Sequence, residues 1–349
     1  MTNYNLGMKR KRKRLFLNYR LLDLITPFNL PIFWRFGFVL GIILVIQIVT
    51  GVFLSFHFQE RVEYIIRELS FGESIRLIHS NGVSLFFFCL FMHIFRGIFY
   101  KSYIIISVWA TGIFIFFFLI ITSFLGYVLP WTQIRFWAAT VITNLVSAIP
   151  VIGLKILTIL WGDFSVRIVT LNRFFSLHYL LPFILLLIVI IHILVLHLSH
   201  SSSPIVKGEG IKFHPLFSWK DVLLGLLLFF FLMLFSFFFP YIFLEYDIFF
   251  PANPLVTPEH IVPEWYFLPF YAILRAVPSK LGGVVLMVRV FIFLLFLPFG
   301  KEKGKLFSAL LLIEWCLLFW IGGLPVIFPY DIAGQIIVLR FFIRFILCG

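Results

Sequence analysis

Four histidines constrain this chain more than any other feature. His79 and His93 lie 14 residues apart in one long apolar segment; His178 and His192 lie 14 apart in another, and the second pair repeats the first at an offset of 99 residues. Fourteen residues is close to four helical turns, so both members of a pair face one way, about 21 Å apart along a helix axis. Two such helices running in the same direction put His79 level with His178, and His93 level with His192.

The rest of the composition says what surrounds those helices. Hydrophobic residues make up 62% of the 349 and charged residues only 12%, about half the charged share of an ordinary soluble chain. The apolar surface must therefore face lipid or other transmembrane helices. Eight spans are expected, at 33–55, 75–100, 108–129, 173–197, 222–243, 283–299, 306–322 and 326–347. The last two carry Glu314, Arg340 and Arg344. An amphipathic stretch at 133–150 is expected to lie at the surface. The expected fold is an all-α integral membrane protein, divided into a basic segment at 1–32, a bundle of the first four spans at 33–221, and C-terminal helices at 222–349 with a long loop at 244–282.

The formal net charge is +13, but its basic residues lie mostly between apolar spans, which argues against nucleic acid as a partner. Cys89, Cys316 and Cys348 are scattered, with no C-x-x-C or C-x-x-C-H, so neither covalent haem attachment nor a four-cysteine cluster is supported. Cys89 reads as a small core residue.

Lys9 to Arg14 form an unbroken basic run with no secretory cleavage pattern after it. It reads as a membrane-surface anchor. The loops on the same side hold Arg96, Lys101, Lys207, Lys212, Lys220, Lys301, Lys303 and Lys305. That excess places both termini on the negative side of the membrane. The second and fourth helices then run from the positive to the negative side, with His79 and His178 near the former, and His93 and His192 near the latter.

A polar side chain inside a bilayer is costly and faces a cofactor, a cavity or a partner. Two opposed neutral imidazoles fill both axial positions of a haem iron and leave no open site for oxygen, which suits electron transfer. Four histidines in this pattern thus predict two non-covalent b-type haems stacked across the membrane. Gly37 and Gly51 on the first span, and Gly112 and Gly126 on the third, repeat the 14-residue spacing; glycine permits the close backbone approach that a flat macrocycle needs. Arg76 and Arg96 fall near the two levels, where they could pair with haem propionates.

Further segments extend the pattern: Gly126-Tyr127-Val128-Leu129-Pro130-Trp131, Ala139-Thr140-Val141-Ile142-Thr143-Asn144-Leu145, Pro263-Glu264-Trp265-Tyr266-Phe267, Tyr271-Ala272-Ile273-Leu274-Arg275 and Lys280-Leu281-Gly282-Gly283. With the histidines, these resemble the cytochrome b family of the cytochrome bc1 complex, over about residues 27–340. The resemblance implies a ubiquinol-oxidising core with two b haems inside the bundle of the first four helices. His79 and His178 become ligands of the low-potential haem, and His93 and His192 of the high-potential haem. Glu264 becomes the residue of quinol oxidation, near the positive side, in an apolar pocket lined by Tyr127, Pro263, Phe267 and Tyr271. His197 and Asp221 become the quinone-reduction residues near the negative side. The resemblance also implies a Rieske iron–sulfur subunit, a cytochrome c1-type subunit, soluble cytochrome c as final acceptor, accessory subunits, membrane lipid and a dimeric complex.

The chain departs from the family's usual pattern at Thr132, where glycine follows Pro-Trp, and at Ile327, where glutamate is usual. Phenylalanine occupies 49 of 349 positions. Its T-rich codons point to an A/T-rich organellar genome, and so to the mitochondrial inner membrane with both termini in the matrix. A di-haem anchor of another respiratory enzyme would lack the Pro-Glu-Trp-Tyr segment. A transporter using histidines as proton relays would be expected to show inverted repeats, which the two parallel histidine helices do not suggest.

Overall fold

A computed structural model describes residues 25–58, 71–199, 210–243, 250–259, 261–300 and 304–347. The basic run at 9–14, Arg61, Arg67, residues 200–209 after His197 and Cys348 lie outside the described residues, as does part of the 244–282 segment.

Long apolar runs become helices because only a helix satisfies every backbone N–H and C=O within its own segment away from water. Eleven α-helices are found among the described residues. They are α1 (Phe36–Ser55), α2 (Gly72–Phe99), α3 (Ile106–Val128), α4 (Gln133–Asn144), α5 (Gly153–Trp161), α6 (Ile168–Ser199), α7 (Leu216–Phe238), α8 (Leu268–Arg275), α9 (Lys280–Phe296), α10 (Lys305–Gly322) and α11 (Tyr330–Leu347). Seven of them, α1, α2, α3, α6, α7, α9 and α10, are long and apolar enough to cross a membrane.

The eighth expected span is α11, which carries Asp331, Arg340 and Arg344. Its charges have partners. Glu314 of α10, only 2% exposed, accepts two hydrogen bonds from Arg344, at 2.8 and 2.6 Å, and lies 3.9 Å from Arg340 Nε. The bidentate pair ties α10 to α11 and leaves no lone carboxylate inside an apolar hairpin, where one would be expensive.

Three features were not legible locally. Ile25–Pro27 (β1) pairs antiparallel with Gly210–Lys212 (β2), in the register Ile25↔Lys212, so the fold is not purely helical. The surface stretch at 133–150 is only the first of two short helices, because α5 follows it. The 244–282 loop contains α8. Strands of three residues and helices of eight or nine carry too little periodicity to be distinguished from loop.

In the bundle, α1 packs along α2 and α3 along α6, with α1 also meeting α6. α7 lies against α1 and α2, α10 against α2, and α9 against α3. Aromatic rings fill the seam between the halves. Phe87 of α2 stacks on Tyr266 at 4.2 Å and 3°, and Phe91 meets Phe116, Trp265, Trp315 and Phe319. Arg275, under whose guanidinium the Tyr271 ring lies, donates to the Leu324 carbonyl at 2.7 Å and to that of Ile321. It thereby fastens α8 to the C-terminal end of α10 and fixes the segment that begins at Glu264.

Candidate functional site: two histidine levels and a shared cavity

The 14-residue spacing brings the histidines together in two cross-helix pairs. His79 of α2 faces His178 of α6 with ring centroids 6.3 Å apart, and His93 faces His192 at 6.5 Å. Two imidazoles bound end-on to one metal, at about 2.0 Å per bond with each ring centre about 1.1 Å behind its nitrogen, have centroids about 6.2 Å apart. Both levels fit that arrangement. Among the described residues no three His, Cys, Asp or Glu converge on a metal. A metal held here must bring its remaining ligands with it, as a haem does.

Hydrogen bonds set the tautomers. The Thr50 hydroxyl donates to backbone carbonyls in its own helix, at 2.7 Å to Ile46, so at 2.8 Å from His79 Nδ1 it can only accept. Thr111 stands in the same relation to His192, at 2.8 Å from Nδ1 while donating to Val108 and Ser107 carbonyls. His178 Nδ1 donates to the Thr122 carbonyl at 2.8 Å. In these three rings Nδ1 is protonated, and the Nε2 lone pair is left for a metal. His93 differs: its Nδ1 lies 3.5 Å from an Arg96 guanidinium nitrogen, at the limit of a hydrogen bond. Pro182 lies four residues after His178 inside α6, so the helix gives up its hydrogen bond to the His178 carbonyl at that level.

Each imidazole rests on one of the four spaced glycines. A Cβ would stand 3.1 Å from His93 Cε1 at Gly37, 3.1 Å from His79 Cε1 at Gly51 and 3.4 Å from His192 Cε1 at Gly112; at Gly126 it would run into His178. The glycines therefore make room for the imidazoles themselves. Sequence reasoning missed the two threonines, although the Thr-Gly dipeptides at 50–51 and 111–112 marked them.

The arginines lie at the two levels. Arg76 lines the cavity beside the outer histidines, 3.8 Å from Glu73, with its Nε buried and without a hydrogen-bond partner. Arg96 lies over the Trp34 ring at 4.8 Å, and its Nε is likewise buried without a partner. Buried cations with spare donors suit the carboxylates of a haem edge.

A cavity of about 220 Å³ opens beside the His79–His178 pair. His79 and His178 line it, and so do Glu264, Tyr127, Tyr266 and Arg135. Glu264, only 9% exposed, stands at the N-cap position of the short 3-10 turn Trp265–Phe267, with its side chain making no capping hydrogen bond. That turn puts Tyr266, rather than Phe267, on the cavity wall; Phe267 packs against Phe87 in the core. Pro263 is buried beside Glu264, and Tyr271 faces Arg275. Tyr266 has its phenol pushed well above the usual range, first by burial and then by the nearby Glu264 and Tyr127, with Arg135 pulling the other way. Arg135, in the amphipathic stretch expected at the surface, is buried on α4 with its guanidinium 5.2 Å from the centre of the Tyr127 ring.

At the inner end, Asp221 is buried in the first turns of α7 and lies 4.0 Å from Arg35 Nε. His197 lies in the last turn of α6. Among the described residues no hydrogen bond joins it to Asp221. Arg35 is thus the ion-pair partner of Asp221.

Comparisons with known proteins point to one family. The family profile "Cytochrome b/b6/petB" matches residues 21–200, and "Cytochrome b(C-terminal)/b6/petD" matches residues 251–342. A curated cytochrome b from Chondrus crispus is 45% identical over 95% of this chain and 93% of its own length. A solved structure described as a hyperthermophilic respiratory Complex III superposes with a TM-score of 0.88 at 29% identity, covering 99% of this chain and 97% of that one.

Proposed function

The chain belongs to the cytochrome b family of respiratory complex III, and from that premise we propose how its residues divide the work of the Q cycle. The observation that carries the reading is that Glu264 lines the same cavity as His79 and His178. A quinol held there lies beside both a proton acceptor and the first station of an electron path.

Each b-type haem, when bound, supplies an iron that takes up and passes on one electron at a time. His79 and His178 would hold the low-potential haem, and His93 and His192, four helical turns further along the same two helices, the high-potential one. Thr50, Thr111 and the Thr122 carbonyl fix the imidazole planes and keep Nε2 unprotonated. Gly37, Gly51, Gly112 and Gly126 let the helices close on those rings. Arg76 and Arg96 offset the charge of the propionates.

At the outer cavity Glu264 accepts a proton from the quinol as it is oxidised, and the apolar walls keep bulk water from competing. One electron leaves to a Rieske iron–sulfur subunit and on to a cytochrome c1-type subunit and soluble cytochrome c. The other crosses through the two histidine levels to a quinone near the negative side. There His197 and Asp221 bind the quinone and deliver protons, with Arg35 holding Asp221 in place. The chain is the catalytic subunit only within the dimeric multi-subunit complex, with accessory subunits and lipid around it. It sits in the mitochondrial inner membrane with both termini in the matrix. Residues 33–221 form the di-haem unit, and 222–349 complete the quinol site.

A redox titration of the reduced-minus-oxidised spectrum of the purified complex tests this. Two b-type components are expected, and His178→Ala should remove one of them or prevent assembly. A normal two-component spectrum from that variant would overturn the ligand assignment.

A further inference from the structure

Outside the residues already given roles, the outer cavity holds one buried cation that the mechanism does not use. Arg135 is 8% exposed and sits on the buried face of α4 with Ile134, Ala138 and Ala139. Its guanidinium is held over Tyr127, and its Nε is buried without a hydrogen-bond partner. The cavity it lines is the one that contains Glu264. A guanidinium is costly to bury without a counter-charge, and a cation lining the same low-dielectric cavity as a carboxylate favours its ionised form. We propose that Arg135 is a positioning residue for quinol oxidation: its fixed positive charge keeps Glu264 ionised and ready to accept the quinol proton, and its seat over the Tyr127 ring holds that charge at the cavity wall.

The inference rests on the proposed quinol site and extends it. The step it serves is a simple proton transfer. One quinol O–H bond breaks and its proton passes to the Glu264 carboxylate; the second O–H bond breaks as its electron leaves to the iron–sulfur partner, its proton leaving on that side, and the other electron enters the histidine path. Arg135 takes no proton and no electron. Other titratable or charged groups lining this cavity are Arg76 of α2, His79 and His178, Tyr127 and Tyr266. Arg76 already has Glu73 at 3.8 Å. Tyr266, set between the two charges, responds to both in opposite senses.

The test is the pH profile of quinol oxidation by the whole complex with Arg135→Gln, Arg135→Lys, Glu264→Gln and the double variant. Removing a cation makes a carboxylate easier to protonate, so the acid limb should move to higher pH. A shift of about one unit is expected in Arg135→Gln, with about tenfold slower turnover below the limb. Lysine should restore much of the profile, and the shift should vanish in the Glu264→Gln background. Both b-type signals should persist throughout. A slowing equal at all pH values, or an undiminished shift without Glu264, overturns the proposal. If Arg135→Gln does not assemble, the double variant decides: recovery of the haem-containing complex means that the cation offsets Glu264, and continued loss means that Arg135 only packs. An unaffected Glu264→Gln enzyme would instead bring down the quinol-site reading itself.

Discussion

Gly126 of α3 and His178 of α6 are in contact so close that a Cβ on the glycine would stand 2.9 Å from both ring nitrogens and nearer still to Cε1. Nothing larger than hydrogen fits there while the ring keeps its hydrogen bond to the Thr122 carbonyl. The equivalent contact of Gly112 with His192 is 3.4 Å, an ordinary van der Waals separation. The two levels therefore differ in tolerance. Gly126→Ala should displace His178 and weaken or abolish the outer b-type signal. Gly112→Ala should leave the inner one nearly unchanged. Redox-resolved difference spectra of the two variants check this, and equal behaviour would mean that the glycines serve only general helix packing.

The threonine hydroxyls predict a tunable potential. An acceptor on Nδ1–H makes an imidazole more basic and favours the more highly charged, oxidised iron. Replacing Thr50 by valine removes that acceptor from His79, so the outer midpoint should rise. One lost hydrogen bond of about 1 kcal/mol corresponds to a shift on the order of 40 mV. Thr111→Val should move the inner midpoint in the same direction through His192. A potentiometric titration with no shift in either variant would count against the tautomer assignment.

Glu264→Gln keeps the size of the side chain and removes its ability to take a proton. Quinol oxidation should slow by about a hundredfold, with both b-type components retained at wild-type amplitude. Steady-state turnover measured across pH gives the answer. Unchanged rates would leave Glu264 as no more than the cap of its 3-10 turn.

The α10–α11 hairpin makes a prediction about stability. Glu314→Ala leaves Arg344, with a side chain only 18% exposed, without its carboxylate in apolar surroundings. Breaking a buried pair from one side costs about 3–5 kcal/mol, so the complex should melt earlier in detergent. Replacing Glu314 and Arg344 together by methionine should recover most of the loss. A double variant no better than Glu314→Ala would show that the hairpin depends on something other than this pair.

Much of this protein was written in one dimension. Apolar runs of about 20 residues must become helices where no water is available to the backbone, so seven spans and the helix that became α11 could be placed to within a few residues. The histidine levels followed from helical periodicity alone, because 14 residues is nearly a whole number of turns. What depended on long-range contact was invisible there. No role for Arg135 or Arg35 could be read along the chain, since only packing turns Arg135 toward Tyr127 and brings Arg35 to Asp221. Tyr266 took the wall position expected of Phe267 because a 3-10 turn advances about 120° per residue, and no local pattern announced the turn. The pairing of β1 with β2 joins segments almost two hundred residues apart. The sequence by itself determined the helices and the levels at which the four histidines pair, which depend on neighbours along the chain. Tertiary structure alone decided which charges share a cavity, because that depends on neighbours across it.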